Sequence, residues 1–87
     1  MVADEEQQQS IIQKVRDTLL AYHTRDAVRN ELVSLGFDVR AEHEGAVSLE
    51  NTPAEIFVQI FVDGRGNVLD SHVVTFDEIE LKPQTKG

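Results

Sequence analysis

The stretch AEIFVQIFVDGRGNVLDSHVVTF, residues 54–76, decides the fold. Its even-numbered positions from Ile56 to Val62 are all β-branched, whereas the odd positions between them include Phe57 and Phe61. Successive side chains of a strand point to opposite faces, so one face of this strand is aliphatic and the other is partly aromatic. The DGRGN sequence that follows suits a hairpin turn, because glycine and asparagine tolerate positive φ. The stretch therefore predicts a β-hairpin whose second strand runs from Val68 to Phe76.

The pattern leaves the register of this hairpin open between two choices, and a slip of one residue exchanges the faces. In the favoured register Val62 lies opposite Leu69 and Ile60 faces Ser71, which keeps the charged residues of the second strand off the aliphatic face. In the alternative register Val62 lies opposite Val68. The favoured register places the two phenylalanines on the opposite face of the sheet.

Length and composition indicate one small domain. The chain has 87 residues and no cysteine, and it contains no apolar run long enough to span a bilayer. Its first residues, MVADEEQQQS, are acidic and polar, unlike a signal peptide. We therefore expect a cytoplasmic protein with a disordered acidic tail at 1–9, a single α+β domain at 10–81 and a C-terminal tail at 82–87.

The negative charge is concentrated in the half of the chain that is expected to form strands. The net charge is −8, and residues 41–81 hold nine acidic residues against one basic residue, Arg65. Direct binding to nucleic acid is disfavoured, since it requires a basic surface. An acidic surface keeps a protein soluble, and it also attracts basic partners.

The N-terminal half contains two helical stripes that do not line up. The first stripe repeats at helical spacing and comprises Ile11, Ile12, Val15, Leu19 and Tyr22. The second stripe falls on nearly the opposite side of the same helical wheel and comprises Ala27, Val28, Leu32 and Leu35. A single straight helix would have to bury two opposite faces. We therefore expect two helices, at about 10–22 and 25–35, with one continuous bent helix as the alternative.

Residues suited to helix ends agree with this division. Ser10 and Gln13 fit a capping box at the start of the first helix. Thr24 fits the N-cap of the second helix, so the break is expected at His23 and Thr24. Gly36 fits the glycine that follows a helix C-terminus.

A second hairpin precedes the one at 54–76, because apolar and polar residues alternate on both sides of the sequence His43-Glu44-Gly45. We expect a three-residue loop there, with the glycine in the left-handed conformation. That register places Val39 opposite Leu49 and Ala41 opposite Val47.

The end of the hairpin at 54–76 has two interpretations. Thr75 and Glu78 fit a capping box for one helical turn, whereas Ile79 and Leu81 fit a short edge strand. Helices followed by strands are typical of two-layer α+β domains. The predicted fold is therefore α+β, with two N-terminal helices packed on one face of a four- to five-stranded antiparallel meander sheet.

No pattern in the sequence indicates catalysis or metal binding. The three histidines are not paired at metal-ligand spacing. Asp70 and His72, two positions apart on one strand, form the best acid–base pair, and a solvent-facing strand pair explains them equally well. The glycines of the turn at 63–67 lie between strands and do not precede a helix, so they do not form a phosphate loop. We expect no enzyme, no cofactor and no metal site.

The face of the sheet away from the helices is the candidate functional surface. Its expected apolar members are Phe57, Phe61, Val74 and Phe76, and its expected acidic rim comprises Glu42, Glu55, Asp70 and Glu78. Contiguous apolar patches with a charged rim are typical of protein–protein interfaces. The competing interpretation is that the segment Ile79–Leu81 covers the patch.

These features predict a small acidic protein-binding module without chemistry of its own, such as an inhibitor, adaptor or regulatory subunit. The expected partner is another protein, of the basic or nucleic-acid-binding kind. One alternative is a nucleic-acid mimic, because spaced carboxylates resemble phosphates. In size and charge the chain resembles small phage-type inhibitors, including uracil-DNA glycosylase inhibitors and some anti-CRISPR proteins, but no residue motif is shared. A second alternative is a small homodimeric structural protein.

Overall fold

The computed structural model describes residues 5–78. It contains two helices and four strands in this order: α1 (Glu5–Ala21), α2 (Arg25–Ser34), β1 (Asp38–His43), β2 (Ala46–Asn51), β3 (Ile56–Val62) and β4 (Val68–Thr75). The strands lie side by side in chain order, and each neighbouring pair is antiparallel. The predicted α+β fold with an antiparallel meander is confirmed. The proposed fifth strand at Ile79–Leu81 lies outside the described residues.

One face of the sheet, which we call the inner face, builds the core against both helices. The inner residues of β2 and β3 are Val47, Leu49, Ile56, Val58, Ile60 and Val62, and all are buried. They form one cluster with four helical residues, Ile12, Val15, Val28 and Leu32, and with Phe37, which precedes β1. Each such side chain stabilises the fold by roughly 1.5–3 kcal/mol through removal from water. The aliphatic face predicted for the strand at 56–62 is therefore the centre of the core.

The first helix begins earlier than expected. α1 starts at Glu5, so residues 5–9, which were predicted as part of a disordered tail, are helical. The capping box predicted at Ser10 is wrong, and Gln13 instead donates from Nε2 to Asp17 Oδ1 at 3.0 Å within the helix. The first turns of α1 are held against the loop before β3, because Gln8 Nε2 donates to the carbonyl oxygen of Ala54 at 2.9 Å.

The break between the helices is confirmed at the predicted position. Thr24 has an extended backbone, and its hydroxyl accepts a hydrogen bond from the Ala27 N–H at 3.3 Å, as expected of an N-cap. Gly36 follows α2 with a φ of +100°, a conformation that glycine adopts without steric cost. The junction between the helices also pairs with the β3–β4 turn through an isolated bridge between Thr24 and Asn67.

A β-bulge reconciles the two registers that the sequence allowed for β3 and β4. Ile60 pairs with Ser71, as in the favoured register. At the turn, however, Val62 pairs with Val68 and not with Leu69, as in the alternative register. The shift occurs between Phe61 and Val62, where Leu69 is the extra residue of β4. The alternation of β3 is unchanged, and Val68 is turned to the inner face, where it packs against the core.

A second bulge corrects the prediction for β1 and β2. Val39 pairs with Leu49 as expected, but the pairing of Ala41 with Val47 is wrong. The register shifts between Val39 and Ala41, so Ala41 lies opposite Ser48 and the next residue, Glu42, lies opposite Val47. The loop has two residues, since His43 pairs with Ala46, and its glycine lacks the positive φ that was expected.

The predicted capping box after β4 is present. Thr75 N–H donates to Glu78 Oε1 at 2.8 Å, and the Glu78 N–H donates to Thr75 Oγ1 at 3.3 Å. Residues 76–78 have helical conformation. Of the two interpretations of this region, the helical turn is therefore correct for the described residues.

Candidate protein-docking face

The face of the sheet opposite the helices, which we call the open face, consists of three cross-strand rows. The first row runs His43, Ala46, Phe61, Asp70; the second runs Ala41, Ser48, Gln59, His72; the third runs Asp38, Glu50, Phe57, Val74. Residues in one row are close neighbours, because directly opposed Cβ atoms lie about 4.5–5.5 Å apart. The open face is therefore mixed, and it carries aromatic, amide, imidazole and carboxylate groups on neighbouring positions.

The two phenylalanines of β3 occupy two of these rows with a polar row between them. Phe57 pairs with Val74, and Phe61 pairs with Asp70. Gln59 and its partner His72 separate them. The apolar residues of the open face thus lie at its two ends.

The apolar residues of the predicted patch are less exposed than the sequence suggested. Phe57, Phe61, Val74 and Phe76 are all half-buried. Since a strand inside the sheet has a neighbour on both sides, its aromatic rings are partly covered by the adjacent side chains of the same face. The predicted contiguous patch is therefore divided, because the row of Gln59 and His72 separates Phe61 from Phe57 and Val74.

His72 links the aromatic and acidic groups of this face. Its ring meets Phe61 edge-on, with centroids 5.6 Å apart and planes at 87°. Its Nε2 lies 3.8 Å from Asp70 Oδ2, while Asp70 Oδ1 accepts the N–H of Ser71 at 2.8 Å. Both side chains of this pair are mostly exposed. The predicted Asp70–His72 pair therefore exists on the surface, where it packs against an aromatic ring.

The acidic rim is only partly as predicted. Asp70 lies on the open face, and Glu50 lies there as well, 3.6 Å from Arg40 Nε. Glu55 and Glu78 lie at the end of the sheet beside Phe76, because the Phe76 N–H donates to the Glu55 carbonyl at 2.9 Å and Glu78 caps the turn there. Glu50 was missed, although alternation along β2, with Val47 and Leu49 on the inner face, would have placed it on the open face.

Glu42 does not belong to this rim. The bulge in β1 turns it to the inner side of the sheet, where its Oε2 lies 2.7 Å from Arg29 Nη1 and 3.6 Å from Arg25 Nε. Both arginines belong to α2, so this carboxylate joins the edge strand to the second helix. Its placement is a correction to the predicted set of partner-binding residues.

A second exposed apolar region, near the end of α1, was not predicted from the sequence. Leu20 is 77 % exposed and Leu69, the bulge residue of β4, is 68 % exposed. Tyr22, which was predicted in the buried stripe, lies beyond the end of α1 and is also exposed. The Val68 N–H donates to the carbonyl of His23 at 2.8 Å. Val68 precedes Leu69 and His23 follows Tyr22, so this bond brings the segments that carry Leu69 and Tyr22 together. The sequence feature that indicated exposure of Leu20 was its absence from the predicted apolar stripe of the first helix.

A small cleft lies where the helix junction meets the β3–β4 turn. It has a volume of about 270 Å³ and is lined by Thr24, Arg25, Asp26, Arg65 and Gly66. In the turn itself, the backbone N–H groups of Asn67 and Arg65 donate to Asp63 Oδ1 and hold the pKa of this carboxyl below its ordinary value. The cleft is polar and contains charges of both signs.

Neither a metal site nor a membrane span is seen in the described part of the chain. Residues 5–78 contain no group of three or more histidine, aspartate and glutamate side chains arranged to hold a metal ion. Neither helix within that range has both the length and the apolar character needed to cross a bilayer.

Comparison with known proteins gives no relative. No protein-family model, no curated protein and no solved structure matches this chain.

Proposed function

We propose that this chain is a small cytoplasmic protein-binding module without catalytic activity, which acts as an inhibitor, adaptor or regulatory subunit through its open face. The observation that carries the proposal is the position of Phe57 and Phe61. Both lie on a strand inside the sheet, on the side that neither helix covers, and neither belongs to the core cluster. Aromatic side chains are enriched among the residues that contribute most of the energy of protein–protein binding.

The charge of the open face favours a basic partner. Asp38, Glu50 and Asp70 lie on this face, and Arg40 is paired with one of them at 3.6 Å. Arg25 and Arg29 lie on the other side of the sheet, where they pair with Glu42. The open face therefore carries excess negative charge, which accelerates association with a basic surface and is screened by salt.

The polar row between the phenylalanines determines what kind of contact this face offers. Gln59 supplies an amide with donors and an acceptor, Ser48 supplies a hydroxyl, and the exposed His72 edge lies beside Phe61. A surface of two apolar ends and a polar centre suits a partner with a charged or amide group between two apolar side chains.

A nucleic-acid mimic is the second candidate, and the arrangement of charge is what favours it. Asp38 and Glu50 are directly opposed across β1 and β2, and Asp70 lies on the far edge of the same face. In this case the carboxylates, and not the aromatic rings, supply most of the binding energy. The two candidates therefore differ in their response to salt and to loss of the aromatic anchors.

The experiment is capture of partners from the lysate of the source cell, at low and at high salt, with four forms of the chain: wild type, Gln59→Arg, Leu20→Glu and Phe61→Ala. Gln59→Arg fills the centre of the open face with a bulky positive group and retains both phenylalanines. Leu20→Glu introduces a charge at an exposed apolar residue on α1 and serves as the control. We expect a partner that binds wild type and Leu20→Glu but not Gln59→Arg.

The behaviour of that partner separates the candidates. Retention at high salt together with loss in Phe61→Ala supports the aromatic docking face. Loss at high salt, with Phe61→Ala still binding, supports the nucleic-acid mimic. A partner that binds Gln59→Arg as well as wild type does not use the open face, and this outcome contradicts the proposal. Recovery of the bait chain alone would favour the homodimer.

A further inference from the structure

The outer edge of β4 pairs with no other strand of residues 5–78, and unpaired sheet edges pair readily with strands of other chains. β4 is the last strand in the sheet order and spans eight residues, Val68–Thr75. It contains no proline, and among residues 5–78 the helix junction is the segment whose backbone bonds to its outer side, through the Val68 N–H. Among the described strands it is the longest, so it would be expected to be the most open to strand addition.

The hydrogen-bond pattern identifies which backbone groups face outward. The Phe76 N–H donates to the Glu55 carbonyl, and the Val62 N–H donates to the Gly45 carbonyl on the opposite side of β3. Residues of an antiparallel pair alternate between mutual bonding and pointing away. Asp70, His72 and Val74 therefore bond to β3, whereas Ser71, Val73 and Thr75 direct their N–H and C=O groups to the outside. The bulge at Leu69 reverses this alternation, so the Val68 N–H also points outward.

Most of the outward N–H groups are already occupied by acceptors of the same chain. Asp70 Oδ1 accepts the N–H of Ser71 at 2.8 Å, and Glu78 Oε1 accepts the N–H of Thr75 at 2.8 Å. At the other end, the carbonyl of His23 accepts the N–H of Val68 at 2.8 Å. Within residues 5–78, Val73 is left as the outward residue of the regular part of β4 whose N–H has no such acceptor.

We infer that Asp70 and Glu78 close the edge of β4 against strand addition, and that their removal allows a second copy of this chain to pair through β4. The geometry favours a second copy because the outward residues are symmetric about Val73. In an antiparallel pair of two β4 strands centred there, Ser71 of each copy meets Thr75 of the other. That pairing needs the N–H groups of Ser71 and Thr75, and the two carboxylates occupy both. The inference does not depend on the function of the open face.

The wild-type chain offers the first test, by amide hydrogen exchange. Ser71, Val73 and Thr75 share the outer edge. If no carboxylate accepted their N–H groups, these three amides would have similar protection factors. We expect Ser71 and Thr75 to exchange roughly fivefold more slowly than Val73, as one net hydrogen bond implies. Equal protection of all three, or greater protection of Val73, would overturn the inference.

The second test removes the acceptors. We expect Asp70→Ala/Glu78→Ala to double its mass relative to wild type as concentration rises, as measured by sedimentation or light scattering. The matched control, Asp70→Asn/Glu78→Gln, makes the same change in net charge but retains a side-chain oxygen as acceptor, so it should keep the wild-type mass. Doubling in both double variants would assign the effect to charge and would overturn the inference.

A third variant shows whether the new contact uses the edge. Ser71→Pro removes an outward N–H, and since this group does not bond to β3, the substitution leaves the ladder intact. Added to the alanine double variant, it should restore the wild-type mass. Association that persists in the triple variant would show that the contact lies elsewhere, and this would contradict the inference. The inference would also be contradicted if the alanine double variant kept both the wild-type mass and the wild-type circular dichroism spectrum.

Discussion

The two faces of β3 differ in composition and in how well we expect them to tolerate substitution, although they come from alternate residues of one seven-residue strand. On the inner face every residue from Ile56 to Val62 is β-branched, and all are buried. On the open face Phe57, Gln59 and Phe61 are half-buried and lie outside the core cluster. We therefore expect the stability of the fold to depend on the shape and volume of the inner residues, and substitutions on the open face to be better tolerated.

The largest expected effect comes from comparing adjacent residues on the two faces. Ile60→Ala should lower the free energy of unfolding by about 2–5 kcal/mol, because it leaves a cavity in the core. Phe61→Ala should cost only about 1 kcal/mol, since its ring is partly solvated and no enclosed cavity forms. Urea denaturation of both variants measures the difference. An equal loss of unfolding free energy in both variants would show that Phe61 is as buried as Ile60, and the two faces would then not differ in this respect.

A polar group at the end of the inner face is expected to give the next largest effect. Asn51 is buried, its Oδ1 accepts the Ala54 N–H at 3.1 Å and its Nδ2 donates to the Leu35 carbonyl at 3.4 Å. Asn51→Ala leaves the Ala54 N–H without this acceptor and should cost about 1–3 kcal/mol in urea denaturation. Asn30→Ala, at an exposed position of α2, is the control and should change stability by less than about 0.5 kcal/mol.

A smaller effect is expected where β1 meets α2. A double-mutant cycle of Arg29→Ala and Glu42→Ala should give a coupling energy of at most about 1 kcal/mol, because both side chains are partly exposed. The coupling should fall as salt is added. A coupling of zero at low salt would show that the bulge in β1 does not hold Glu42 on the inner side of the sheet.

The smallest effect is expected at the turn where the two faces of β3 end. The pKa of Asp63 should lie below its ordinary value of 3.8, chiefly because the backbone N–H groups of Asn67 and Arg65 donate to its carboxylate. Since the folded pKa lies below the unfolded one, the ionised turn stabilises the fold above pH 3.8, and this contribution disappears as the pH falls through the folded pKa. An NMR titration that places the pKa at or above 3.8 would contradict this.

The sequence predicted the parts of the fold that follow from periodicity. Alternation in residues 56–62 identified the inner face, and the mismatch of two helical stripes located the break at Thr24. The capping roles of Thr24 and Gly36 also follow from local residue preferences. These features depend on neighbours a few positions apart, which a single sequence shows directly.

Features that depend on distant contacts or on bulges were not predictable in the same way. Glu42 was assigned to the open face because strict alternation was assumed, and one extra residue at Arg40 moved it to the inner side. The start of α1 was placed five residues late, since its anchor is a hydrogen bond from Gln8 to Ala54, far along the chain. For the candidate site, Phe57, Phe61 and Asp70 were predicted on the correct face, whereas the bulge in β1 displaced Glu42.

The bridge between Thr24 and Asn67 has a consequence for how the chain folds. It joins the helical half to the last hairpin, so the loop it closes contains most of the domain. Each hairpin forms from neighbouring residues and closes early, whereas contacts between distant residues form late because of the entropy of loop closure. The helix pair is therefore expected to dock last, and the junction at Thr24 is where the slow step of folding is completed.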